Sequence, residues 1–161
     1  MRGGVVVIAL VHGAVGAACG ALLQRRRATV AAALVSHLVV DAVSHEEPFD
    51  KRGNLRLDVA AFDGLLMGLA LLVVGSRYGV FSPESLGAVA GCLPDMGHLL
   101  QRWGAWSGPV HGSFPHARWP SRRIGVWWQL SIGVIGWLAF LTYHSPSAVR
   151  SRAAARRSQA G

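Results

Sequence analysis

The sequence predicts an all-α protein, an integral membrane helical bundle of about five apolar segments. Three observations predict it. Hydrophobic residues make up 52% of the 161-residue chain and charged residues 15%, a low charge fraction for a soluble globular domain. The apolar residues are gathered into blocks separated by polar stretches. The basic residues that bring the net charge to +8 sit between those blocks, as Arg25-Arg26-Arg27, Lys51-Arg52, Arg122-Arg123 and Arg156-Arg157. Cations in loops are a membrane-protein pattern. They argue for membrane lipid as the partner and against nucleic acid, which the same charge would suggest in a soluble domain.

The first block, residues 5–23, is uncharged and contains His12, Gly16 and Gly20. Small residues spaced by four let helices approach closely in lipid, which accounts for the glycines but not for His12. The second, 28–43, is interrupted by His37 and Asp41. The third, 57–75, carries Asp58 and Asp63 near its start. The fourth, 86–100, holds Pro94, Asp95 and His98. The fifth, 124–143, has no charge. A spanning helix needs about 20 mostly apolar residues; the first, third and fifth blocks meet that. The second and fourth are shorter, with polar C-terminal ends, and are expected to be buried by the others or partly inserted. Residues 1–144 thus form a membrane helical domain with a His/Asp site. The basic Ser/Ala/Arg tail, 145–161, is expected to be disordered. Cys19 and Cys92 lie inside apolar blocks and read as buried free thiols. The stretch Gly16-Ala17-Ala18-Cys19 only faintly resembles a lipoprotein processing site, because the chain stays apolar through Leu23. A cleaved signal peptide would remove His12.

If all five blocks cross the membrane, alternate crossings bring the same ends together. Asp41 and His45, Asp58 and Asp63, Asp95 and His98, and the loop with His111 and His116 then share one face. His12 and His37 lie at similar depth, roughly 10 Å inside their helix ends at 1.5 Å per residue. A carboxylate within an apolar segment is costly and needs a partner. Four such carboxylates beside six histidines suggest a bound cation; buried Asp–His or Asp–Arg pairs that only hold helices together are the alternative. Basic residues divide evenly between the two faces, and the compact Arg25–Arg27 triplet tips the site face away from the cytoplasm.

Three elements carry the chemistry. His37 and Asp41, at i and i+4, lie on one helix face and together can hold a metal. Asp95 and His98 are at i and i+3, after Pro94, which loosens the preceding turn and frees carbonyls. His111 and His116 flank a Gly- and Pro-containing loop segment. The ligands to expect are His37, Asp41, Asp95 and His111, then His12, His98, His116 and His45. Imidazole and carboxylate without thiolate suit zinc first, then manganese or iron, more than calcium. Such a metal lowers the pKa of a bound water, and Asp63 or Asp58 is the candidate general base. Arg118, Arg122 and Arg123 are placed to hold a phosphate or carboxylate headgroup, or to anchor the last helix at the interface together with Trp119, Trp127 and Trp128.

The segment Ser36-His37-Leu38-Val39-Val40-Asp41-Ala42-Val43-Ser44-His45 resembles the SHxxxDxxxH segment of small membrane-bound predicted metal-dependent hydrolases, LexA-regulated in some members. Leu93-Pro94-Asp95-Met96-Gly97-His98 resembles their GxxxPDxDH element, with Met96-Gly97 where a second acid is usual. His12 with Gly16 resembles their HxxxG helix, and His111 to His116 their histidine loop. The resemblance covers about residues 5–143. It implies a metal-dependent hydrolase acting on a phosphoester, ester or amide near the bilayer surface, with lipid headgroups as candidate substrates. The contrasting expectation is a non-enzymatic transporter subunit or scaffold that uses Asp–His pairs. The expected location is the cytoplasmic membrane of a prokaryote.

Overall fold

The computed structural model describes residues 8–41, 56–102, 104 and 122–144. Within them the chain is five helices, and no strand occurs among the described residues: α1 (Ile8–Leu23), α2 (Arg26–Asp41), α3 (Leu57–Tyr78), α4 (Pro83–Arg102) and α5 (Arg122–Tyr143). Each corresponds to one apolar block of the sequence. The expected disordered tail lies outside the described residues.

Turn chemistry shapes the α1–α2 and α3–α4 connections. Gln24 ends α1 in the left-handed region, φ 54°, where glycine is usual. Its side chain holds the conformation, donating to the carbonyls of Gly20 at 3.3 Å and Ala21 at 2.9 Å. The chain re-enters a helix two residues later, so α2 must run antiparallel to α1. Gly79, φ 98°, ends α3 and donates to the Gly75 carbonyl at 2.9 Å. Ser82 then caps α4 by accepting the Ser85 N–H at 3.1 Å, and Pro83 occupies the first helical position, where its missing N–H costs nothing.

α1 is the central helix and packs against all four others, most extensively against α4. Glycines make that possible. A Cβ on Gly16 would fall on the carbonyl of Gly87, one on Gly87 would fall on that of Gly16, and one on Gly91 would meet the carbonyl of His12. The two backbones therefore touch, the close approach that the small-residue spacing in the first block predicts. On the other side of α1, Gly133 of α5 faces Val11 and Gly136 faces Ala14.

Buried polar side chains and exposed large apolar ones occur on the same helices. The buried stripe of α2 is Thr29, Ala33, His37, Val40 and Asp41, and that of α3 is Val59, Asp63, Met67 and Val74. Meanwhile Leu72, Val39 and Ile135 are each more than 60% exposed. Exposed Leu, Val, Ile and Trp side chains run along α2, α3, α4 and α5, far beyond the scattered apolar residues of an ordinary soluble surface.

One helix among the described residues, α3, is long and apolar enough to cross a membrane by length and composition. α1 is a shorter apolar helix. α5 matches α3 in length.

Asp63 is one of the buried acids, and it is bound to the backbone of α1. Its Oδ2 accepts the Ala9 N–H at 2.7 Å and its Oδ1 the Leu10 N–H at 3.2 Å. These are backbone donors at the start of the described part of α1, where a helix end calls for an acceptor from outside. Asp63 thus caps α1 from another helix. Asp63→Ala is expected to cost about 1–2 kcal/mol, the upper range for a lost cap. Urea or SDS titration followed by helical circular dichroism would measure it, and an unchanged midpoint would show the cap to be idle.

Candidate metal centre

Three helices meet at one end of the bundle. α1 contributes His12, whose Cα lies four residues, roughly 6 Å, inside the helix start. α2 contributes His37 and, as its last residue, Asp41; α4 contributes Asp95. His12 and His37 are each 1% exposed and Asp41 is 4% exposed. Asp95 is the most open, its side chain 25% exposed.

The contacts are close. His12 Nε2 lies 3.0 Å from Asp41 Oδ1, and His37 Nε2 lies 2.8 Å from Asp41 Oδ2. His37 Nε2 is also 3.8 Å from Asp95 Oδ1. The two imidazoles lie 4.0 Å apart with planes tilted by 31°. One donor atom from each of His12, His37 and Asp95 falls within 4.8 Å of the others. A tetrahedral zinc with ligands at about 2.0–2.1 Å sets its donors roughly 3.3 Å apart. Side-chain shifts on the order of 1 Å would close the group around an ion.

The protons of His37 can be assigned from its partners. Its Nδ1 lies 2.6 Å from the Gly91 carbonyl oxygen. A carbonyl only accepts, so Nδ1 carries the hydrogen. Nε2 then needs a positive partner, because a bare lone pair facing Asp41 and Asp95 would be repelled by both. Either a proton or a metal ion supplies it. A histidine whose far nitrogen donates to a backbone carbonyl is the usual arrangement of a metal ligand. His12 differs: its Nε2 meets Asp41 without hydrogen-bond alignment, and its Nδ1 has no hydrogen-bond partner among the described residues.

Sequence features explain this convergence. His37 and Asp41 share a face through their i,i+4 spacing. Gly91 lets the α4 backbone come against α1 at His12 and presents its carbonyl to His37. Pro94 has no N–H to give, which loosens the turn containing that carbonyl.

The other expected site residues fall elsewhere. Asp63 caps α1, with both carboxylate oxygens engaged by backbone N–H groups. Asp58 is an exposed residue paired with Arg56 at 3.0 Å. His45, His111 and His116 lie outside the described residues, as does the side chain of His98. Ser36 does not reach the centre; its hydroxyl donates to the Ala33 carbonyl at 2.8 Å. Both cysteines are free, and Cys92 donates to the Ala9 carbonyl at 3.1 Å. The role of Gly91 was not evident in the sequence, although its place three residues before Pro94 was a usable signal.

A second polar cluster lies at the opposite end of the bundle. Glu84, 4% exposed, accepts the Gln24 amide at 2.9 Å and faces His144 Nε2 at 3.2 Å. The cluster depends on α1, α4 and the end of α5 meeting. Comparison with known protein families, curated proteins and solved structures finds no match to this chain.

Proposed function

We propose that this chain is a membrane-embedded protein that holds a divalent transition metal among His12, His37, Asp41 and Asp95, and that it hydrolyses a phosphoester, ester or amide bond near the bilayer surface. The observation that carries the metal is the orientation of His37: Nδ1 is committed to the Gly91 carbonyl, and Nε2 faces carboxylates from two helices. The membrane location is supported by the burial of His12, His37, Asp41, Asp63 and Glu84 on helices that expose leucines and valines. Polar side chains placed among apolar helices and turned inward are the arrangement that lipid favours.

A bound metal of this class would lower the pKa of a water and polarise the substrate carbonyl or phosphoryl group. The residues of the chain divide the remaining work. Asp41 holds both imidazoles, one with each carboxylate oxygen. Gly91 sets the His37 tautomer. Asp95, the most exposed of the four, lies where a substrate from the surface would enter. Zinc fits the imidazole and carboxylate set best, with manganese or iron next. The hydrolase assignment rests on the family resemblance of the segments around His37 and Asp95.

The test is metal content of the detergent-purified protein, read by elemental mass spectrometry after dialysis against zinc. A stoichiometric transition metal is expected, falling at least tenfold in His37→Ala and in Asp95→Asn. A folded preparation that takes up no metal would refute the site. Hydrolysis of a panel of phosphoesters, esters and amides by the loaded protein then tests the reaction. One observation favours a second, non-enzymatic reading, an ion-pair scaffold or transporter subunit: Asp41 already contacts both imidazoles.

A further inference from the structure

At the end of the bundle away from His37, α3 and α5 part, leaving a cleft of about 690 Å³. Its walls are Leu69 and Val73 of α3 and Trp137 and Leu141 of α5, and Val74 and Phe140 close its floor. The floor residues are buried and belong to the same cluster as Ala17 and Ala21 of α1. The wall residues Leu69, Val73 and Leu141 are each more than half exposed. The cleft therefore opens sideways, toward whatever surrounds the helices.

One end of the cleft is polar. Arg77 and His144 line it there. The Arg77 guanidinium lies 6.0 Å from the centre of the Tyr78 ring, and no carboxylate pairs with it among the described residues. His144 stacks beside Tyr78 at 4.3 Å and Phe140 at 5.1 Å. Glu84, which faces His144, is buried behind it and does not line the cleft. From Leu69 to Arg77 the apolar run is eight residues, roughly 12 Å at 1.5 Å per residue.

An apolar slot of ligand-pocket size that ends at an uncompensated guanidinium has the pattern of an anionic amphiphile. The apolar length suits a hydrocarbon chain, and the planar fork of arginine suits a phosphate. We propose that the α3–α5 cleft holds one acyl chain of an anionic phospholipid, with its phosphate on Arg77. This site is distinct from the metal centre and rests only on the membrane location proposed above.

The test is native mass spectrometry of the full chain in detergent, titrated with phosphatidylglycerol and, separately, with phosphatidylcholine. A single-lipid adduct is expected, about tenfold tighter for the anionic lipid, the effect of one good contact. Ala70→Trp, which fills the cleft, should abolish it. Leu72→Trp, on an exposed part of α3 outside the cleft, should leave it unchanged. Arg77→Gln should bind the two lipids equally. The proposal is overturned by absence of an adduct, by its survival in Ala70→Trp, by equal affinities in the unaltered protein, or by a dimer that closes the cleft. If Ala70→Trp misfolds, the exposed Arg77→Gln variant still decides the headgroup preference. Metal content measured on the same samples keeps failure here separate from failure of the metal site, and membrane fractionation of the same cells tests the shared premise.

Discussion

Asp41→Ala is expected to lower stability by about 3–5 kcal/mol, the cost of removing one member of a buried charged group and leaving the others without a counterpart. His12 and His37 would then keep, among the described residues, only the more distant Asp95 as a counter-charge. Thermal unfolding in detergent reads this, and a chelator arm tells the metal from the ion pair. With metal bound, exhaustive chelation should bring the unaltered protein down toward the variant. Ligand linkage supports a shift on the order of 4 kcal/mol at a thousand times the dissociation constant. With an ion pair alone, chelation changes nothing. Replacing His12, His37 and Asp41 together by Leu should then be neutral or stabilising, because exchanging a whole buried ionic group for apolar packing often is. Asp41→Asn separates charge from shape: it keeps the volume and should still lose the metal.

Gly16→Leu and Gly87→Leu are expected to be the most damaging substitutions away from the site. Each would drive a side chain into the backbone of the facing helix, and no rotamer avoids a clash that begins at Cβ. The loss should reach or exceed about 3 kcal/mol, the upper range for overpacking. It should also reach the metal centre. Gly91 and Asp95 ride on α4, so separating α4 from α1 withdraws the Gly91 carbonyl from His37. Metal content should therefore fall in Gly16→Leu although Gly16 is no ligand. Gly64→Ala and Gly68→Ala are the controls. A Cβ at either meets nothing within 4 Å, so they should be neutral or gain about 0.5–1 kcal/mol from reduced backbone freedom. Equal losses in both pairs would show that the α1–α4 contact has no special role.

The two predictions test different levels of the same argument, and they show where sequence reading succeeded. Five helices follow from five apolar blocks, since long apolar runs hide their backbone polarity most simply as helices. His37 and Asp41 could be joined from spacing alone, because i,i+4 geometry is local. His12 was assigned to the same depth by counting residues from helix ends, and it lies against Asp41 at 3.0 Å. Nothing in the sequence says which face of α1 turns toward α2.

Asp63 shows the opposite case. A carboxylate near the start of an apolar helix fits a general base as well as it fits a cap. Only the approach of α3 to the first turn of α1 gives it the Ala9 and Leu10 N–H groups. Glu84, Gln24 and His144 were equally silent, because they come from three distant segments and their meeting depends on how helices end and turn.

What the sequence determined by itself is the all-helical class, the order and number of the apolar helices, and the placing of His12, His37, Asp41 and Asp95 at one common end of them. These properties depend on local periodicity and on alternation of direction. The tertiary structure alone decided the tautomer of His37, the use of Asp63 as a cap and the existence of the α3–α5 cleft. Each of these depends on a distance between helices, and for His37 that distance is set by glycine contacts across α1 and α4 that no single segment contains.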